Sequence, residues 1–292
     1  MKVFDFLPDD DTPAASIDVS KLLPLVHTAP WASAVKILWS NCIKKEFCDF
    51  FQEELLYFFY ARPAKRTNQK YVLAYLAAPV VFIVKPELDE IKRVFPFDSG
   101  AYDKYIEYEY LNADAQISHH IDSKGSTKSV YKDSHIYNYE IPHNFSAIIQ
   151  YIQEIYGNND HYYADKYKND RELSPTIIQN RRTNADLDNL LNLISSPNTD
   201  GLQDQYGLDD RRKTIEIQIP NNYNLYNNLL AVICPMVFYN DDKLAKKIVH
   251  SGVEPLHYQY CDAKTVEDHI RIIYNATKNY YVRNRYIKGK SA

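Results

Sequence analysis

Glu216 is the residue whose setting most calls for a chemical reading. It stands in the run TIEIQI (residues 214–219), where Ile215, Ile217 and Ile219 share one face of a strand and Glu216 and Gln218 the other. If that strand is central, a mid-strand carboxylate either lines a cleft or is buried at considerable cost. If the strand is at an edge, the polar face is simply wet; the run itself leaves both open. Arg62 directly follows the apolar run LLYFFY, within Tyr60-Ala61-Arg62-Pro63. A guanidinium aimed from a buried strand suits bidentate recognition of phosphate, while Lys65, Arg66 and Lys70 close by also allow a solvated basic loop. His27-Thr28 precedes a helical pattern, and a His there either presents a ring nitrogen to a ligand or caps and half-buries itself.

Other clusters carry less. Asp98-Ser99-Gly100 in PFDSGAY reads as a turn, a structural one before a ligand-binding one. His119, His120, His135 and His143 match no metal-ligand spacing and have no carboxylate placed with them, so no metal is expected. Cys42, Cys48, Cys234 and Cys261 form no C-x-x-C and fit no zinc module. With 7 Gly in 292 residues, and none closer together than Gly201 and Gly207, a G-x-G-x-x-G, a P-loop and a G-x-S-x-G elbow are all excluded. Residues 278–290, KNYYVRNRYIKGK, interleave basic and aromatic side chains, as single-stranded nucleic-acid binding does and as a solvated basic tail also would. The 26 Tyr supply stacking faces and hydroxyls, or reflect base bias in the coding sequence.

The elements that must position these residues are legible in part. Trp31, Ala34, Val35, Leu38 and Trp39 fall on one face of a helix over 31–40. The runs at 55–60 and 80–84 read as buried strands, and 105–110 (YIEYEY) and 214–219 as further strands. Helices are expected at 146–156, 185–194 and 265–281, with polar loops at 157–184 and 195–213 and a loose arm over the first fifteen residues or so. Pro235 inside the apolar run 229–238 should split it or place it at an edge. The order of elements lacks strict βαβ alternation, which implies an α+β fold with a mixed, mostly antiparallel sheet.

A hydrophobic fraction of 45% supports a sizeable core, and 34 basic against 38 acidic residues (net charge −4) argues against non-specific coating of DNA, though not against a local basic patch. The acidic start MKVFDFLPDDDTP lacks an apolar signal region and no run is long enough to span a membrane, so a cytoplasmic protein with reduced thiols and no membrane partner is expected.

Taken in order, VHTAPWASAVKILWSNCI, LYFFYARPAKR, PVVFIV and TIEIQ resemble the ADP-ribosyltransferase superfamily, and most closely the DarT-type toxins that modify nucleic acid. The resemblance covers residues 25–85 and 212–240. It implies an ADP-ribosyltransferase-like split sheet flanked by helices, forming a single domain over 1–292 with a variable polar insertion at about 111–184. It implies NAD as substrate without a metal, with His27 and Thr28 near the nicotinamide ribose and Tyr57 or Tyr60 stacked on nicotinamide. Arg62 would neutralise the pyrophosphate and Glu216 would be the catalytic carboxylate. The acceptor implied is a base in single-stranded RNA or DNA, in an anti-phage or toxin–antitoxin setting with an antitoxin protein as partner. This chain departs from the family in reading Y-A-R-P, without a Pro before Arg62 or a Ser after it, and in carrying Glu216-x-Gln218, with Thr214 two residues before Glu216. An arginine-modifying enzyme is therefore not implied. The competing readings are a non-enzymatic nucleic-acid-binding or regulatory protein, transfer to a protein acceptor, and a metal-independent nuclease.

Overall fold

The computed structural model describes Phe4, Leu7 and residues 22–64, 78–86, 91–99, 117–121, 127–131, 135–164, 214–239, 243, 246–248, 253–261 and 266–288. The expected strand at 105–110, the helix at 185–194 and the loops at 165–184 and 195–213 lie outside these residues, as do Lys65, Arg66, Lys70 and Gly100.

The apolar runs pair into one sheet. Its strands are β1 (Leu25–Pro30), β3 (Glu46–Cys48), β4 (Glu53–Tyr60), β5 (Pro79–Val84), β6 (Arg93–Phe95), β9 (Glu216–Ile219), β11 (Leu229–Pro235) and β12 (Glu254–Tyr258). The order is β12-β11-β5-β1-β4-β9-β6, with β3 paired to β4. Only β11 and β12 are parallel; every other pair is antiparallel. The mixed, mostly antiparallel α+β class is thus observed. Among the described residues there are also two small ribbons, β2 (Cys42–Ile43) with β10 (Tyr223–Asn224), and β7 (Ile117–Ile121) with β8 (Thr127–Tyr131).

Helix α1 (Trp31–Ser40) follows β1 without a break and buries Trp31, Ala34, Ile37 and Leu38 at helical spacing, whereas Trp39, expected on that face, is exposed. It stops at Asn41, whose left-handed φ of 51° lets its amide close back on Ile37. Helices α2 (Phe145–Tyr156) and α3 (Asn159–Ala164) follow, then α4 (Met236–Tyr239) and α5 (Val266–Arg283). No helix among the described residues is long and apolar enough to cross a membrane.

Three expectations change. Phe4 and Leu7 are buried, Phe4 standing edge-on to Tyr151 at 5.3 Å, so these two residues belong to the core rather than to a loose arm. The stretch after 157 is not all loop: α3 places Tyr162 and Tyr163 in the same core as the sheet, as α2 does Tyr151 and Ile152. Pro235 does split its run, ending β11 where α4 begins, but β11 lies inside the sheet between β5 and β12; its pairing with β5 ends at Ile233, before the proline.

Tyrosine hydroxyls do much of the joining. Tyr258 donates to the Pro79 carbonyl (2.8 Å), Tyr281 to Ala61 (2.9 Å) and Tyr163 to Tyr274 (3.1 Å), each tying a helix or strand to distant backbone. Tyr162 donates to the Tyr60 carbonyl (3.0 Å) and accepts from the Ile215 amide (3.2 Å), pinning α3 to the junction of β4 and β9. Replacing Tyr162 by Phe keeps the ring and leaves the buried Ile215 amide without that acceptor. Urea unfolding of Tyr162→Phe is expected to show a loss of about 1–3 kcal/mol; an unchanged midpoint would mean the hydroxyl carries no stability.

Candidate active site

Strand β9 is interior, between β4 and β6, and all four of its residues are buried. The open question of a wet edge is therefore closed by its neighbours. Alternation and register place Glu216 and Gln218 on the sheet face that carries Phe59 and Tyr57 of β4 and Phe95 and Arg93 of β6. Ile217 and Ile219 occupy the opposite face with Phe58, Leu56 and Val94.

Glu216 is 2% exposed and holds three hydrogen bonds. Its Oε1 accepts from the Ser99 hydroxyl (2.7 Å) and from Gln218 Nε2 (2.7 Å); its Oε2 accepts from the Ser99 amide (3.0 Å). The chain reaches Ser99 because β6 ends at Phe95 and the segment through Phe97 and Asp98, both buried, turns back over the end of β9. Burial pushes the Glu216 carboxyl up to about 8, and the nearby Asp98 carboxylate pushes the same way. The donors on Ser99 and Gln218 oppose that rise. A second layer supports the first. Gln218 Oε1 accepts from Arg93 Nη1 (3.3 Å), and Arg93, 7% exposed, is paired to Glu53, which Lys92 also contacts. The Arg93 guanidinium lies 4.4 Å from the Phe51 ring centre and 5.8 Å from that of Tyr137.

Tyr57 shares this face, and burial followed by the charge of Glu216 pushes its phenol well above the ordinary range. Beside it the sheet opens. Backbone pairing of β1 with β4 stops after Leu25↔Tyr60 and Val26↔Phe59, although β1 continues to Pro30. Across the gap, His27 Nδ1 lies 3.0 Å from the Tyr57 carbonyl. A carbonyl only accepts, so Nδ1 carries the proton, and burial lowers the basicity of the His27 ring. Thr28 lies on the Glu216 face by register, and its buried Oγ1 has no hydrogen-bond partner.

The other expected site residues sit elsewhere. The His27 ring packs between Phe58 (5.9 Å) and Phe82 (6.4 Å), on the face opposite Glu216, so it joins the site through its hydrogen bond to the Tyr57 backbone. Tyr60 is fully buried on that opposite face and its hydroxyl accepts from the Leu23 amide (2.8 Å), so of the two tyrosines only Tyr57 is placed to meet a ligand beside Glu216. Arg62 is fully buried, with its guanidinium 3.8 Å from the Tyr162 ring centre and 5.7 Å from that of Tyr156. The rigid support expected for it is there: Ala61, at φ 61°, turns the chain after β4, and Arg62 is buried against two tyrosine rings. Of the aromatic residues in 278–290, Tyr280 and Tyr281 are buried; Arg283, Arg285 and Lys288 are exposed.

Ser99, bonded to Glu216, and Arg93, bonded to Gln218, are the neighbours of the carboxylate that sequence reasoning did not place there. The signals were present: a D-S-G turn closing an apolar segment, and a Lys92-Arg93 pair opening the run VFPF. Among the described residues, no group of three or more His, Cys, Asp or Glu could hold a metal ion. Comparison of the chain with protein-family models, with curated proteins and with solved structures returned no match.

A carboxyl that is harder to ionise when folded than when unfolded makes stability fall as pH rises between its two pKa values. For Glu216 that window runs from the ordinary carboxylate range to about 8. Thermal melts across this window are therefore expected to show Glu216→Gln gaining stability over wild type as pH rises, with the gap closing in acid. A gap independent of pH would contradict a raised Glu216.

Proposed function

We propose that the chain is a mono-ADP-ribosyltransferase that uses NAD as donor and a nucleic-acid base as acceptor, on an ADP-ribosyltransferase-like split sheet. The observation that carries this reading is the Glu216 carboxylate. It is held on both oxygens by Ser99 and Gln218, and it shares a sheet face with Tyr57 next to the gap between β1 and β4. The unpartnered Oγ1 of Thr28 at that gap fits a ligand bringing its own donor or acceptor.

The chemistry follows from those groups. As the bond between the nicotinamide nitrogen and ribose C1′ breaks, its electron pair neutralises the pyridinium and C1′ takes on oxocarbenium character. An ionised Glu216 beside the ribose stabilises that charge, and the fixed donors keep its position from relaxing. The Tyr57 ring offers a face for the nicotinamide. The acceptor's nucleophilic atom then attacks C1′ and gives up its proton. Arg62, whose guanidinium lies 3.8 Å from the Tyr162 ring centre, links the end of β4 to α3 in this arrangement. The exposed Arg283, Arg285 and Lys288 at the end of α5 support a polyanionic acceptor. A toxin role, held in check by an antitoxin in the cytoplasm, accords with such chemistry.

One observation favours a second reading, a non-enzymatic nucleic-acid-binding protein. Glu216 is 2% exposed and already satisfied by three donors, which is also what a purely structural carboxylate requires. The two readings part in one assay. Protein is incubated with NAD labelled on the adenylate phosphate and a bacterial lysate treated with nuclease or with protease. Label transferred to a nuclease-sensitive fraction, reduced about 10²–10³-fold in Glu216→Gln, is the expected result. Protease-sensitive label would move the acceptor to protein. No transfer and no nicotinamide release would leave the binding reading.

The pH dependence has a sign of its own. The ionised form of Glu216 is the working one, so kcat/KM should rise with pH through about 8. The pyridinium of bound NAD favours the carboxylate, so the midpoint in kcat should lie lower. Coincident midpoints, or a fall with pH, would count against Glu216 as the charged group.

A further inference from the structure

Gln218 holds a side chain whose two ends are chemically opposite, between two partners that are also opposite. Its Oε1 accepts from Arg93 Nη1 (3.3 Å), while its Nε2 donates to Glu216 Oε1 (2.7 Å) and to the Ser99 hydroxyl oxygen (3.3 Å). Turned end for end, the amide would set its NH2 against the N–H groups of the guanidinium and its carbonyl oxygen against the carboxylate. Arg93 has only donors to offer and cannot adapt to that arrangement. We propose that Arg93 is a positioning residue: its guanidinium fixes which end of the Gln218 amide faces Glu216 and so makes Gln218 an obligatory donor to the carboxylate.

The setting supports this assignment. Arg93 opposes Gln218 directly in the β6–β9 register. Its side chain is held at the far end by Glu53, which is about a quarter exposed, and on its flanks by Phe51 and Tyr137, so it has little freedom to swing away. Glu53, Arg93, Gln218 and Glu216 thereby form one chain of polar contacts from the rim of the protein to a carboxylate almost out of reach of solvent. The groups facing Glu216 from the packed elements are Asp98 and Ser99 after β6, Gln218 on its own strand and Tyr57 on β4. Of these, Asp98 opposes ionisation while Ser99 and Gln218 favour it. A Gln218 free to turn would withdraw one of the donors that favour it.

The consequence for catalysis rests on Glu216 being the working carboxylate of the proposed transferase. The test does not. The protein is labelled with ¹³C at glutamate carboxyls, Glu216 is assigned by the signal lost in Glu216→Gln, and its titration is followed by NMR without NAD or turnover. Arg93→Met should move the Glu216 midpoint upward by about one pH unit, a tenfold smaller ionised fraction at a fixed lower pH. Arg93→Lys, which still offers a donor to Gln218, should restore most of it. In a Gln218→Leu background, Arg93→Met should add nothing, because the relay is already cut. Glu53→Gln, a milder change near the surface, serves if Arg93→Met does not fold, and should shift the midpoint the same way by less. The proposal is overturned if neither variant moves the titration, or if Arg93→Met shifts it equally with and without Gln218, which would make the guanidinium a direct charge effect. A working titration relay with no transferase activity would instead reject the functional reading and leave Arg93 its role.

Discussion

Putting a carboxylate into the middle of a sheet is the constraint around which this structure is arranged. Removing such a group from water costs several kcal/mol even after relaxation, and the cost must be met by donors placed within bonding distance. Glu216 finds them in three places, the amide and hydroxyl of Ser99 and the amide of Gln218 two residues along its own strand. Each demands something of the fold. Ser99 requires β6 to lie beside β9 and the segment after it to turn back over the strand end. Gln218 requires the i, i+2 spacing that only a regular strand provides. Phe95 and Phe97, stacked at 6.4 Å, and Phe51, stacked on Phe95 at 5.9 Å, line that turn with apolar surface.

A second charge is buried nearby by different means. Arg62 lies beyond the end of β4 against the rings of Tyr156 and Tyr162, whose π-faces take up part of the cation's field. The two solutions share a backbone. The Tyr60 amide donates to the Ile215 carbonyl (2.9 Å), so the residue before Glu216 and the residue two before Arg62 are directly bonded. The tyrosines that cage Arg62 also bridge the junction of β4 and β9 through the Tyr162 hydroxyl. The high tyrosine content thus has a structural use: a ring that fills volume and a hydroxyl that satisfies a buried carbonyl.

What could be read from the sequence was local. The period of Trp31, Ala34 and Leu38 specified α1, and the alternation of Ile215, Ile217 and Ile219 specified β9 and the face of Glu216. The even alternation of β4 could not say which of Tyr57 and Tyr60 meets the site, because odd and even residues point opposite ways and only the pairing with β9 decides which side is which. Nor could it show that Arg62 turns inward, since that depends on the left-handed Ala61 and on tyrosines a hundred and more residues away. Ser99 was read as part of a turn, which it is; its second role exists only because β6 and β9, far apart in the chain, lie side by side. Arg93 is harder to single out, because the Lys92-Arg93 pair at the start of a short apolar run resembles any strand end.

The hydrogen bond from Tyr281 to the Ala61 carbonyl joins residues 220 positions apart. Strand β5 waits for β11, and β4 waits for β9, in the same manner. Such a topology has few contacts that can be sealed early, and chains dominated by distant pairings fold slowly. During synthesis the first five strands emerge with no partners for their outer edges and no lid for Arg62. Strand β9 and then α5 must leave the ribosome before the core can close. The carboxylate and the strands that hold it therefore come together only after β9 has emerged, and the Ala61 carbonyl finds its donor only after α5.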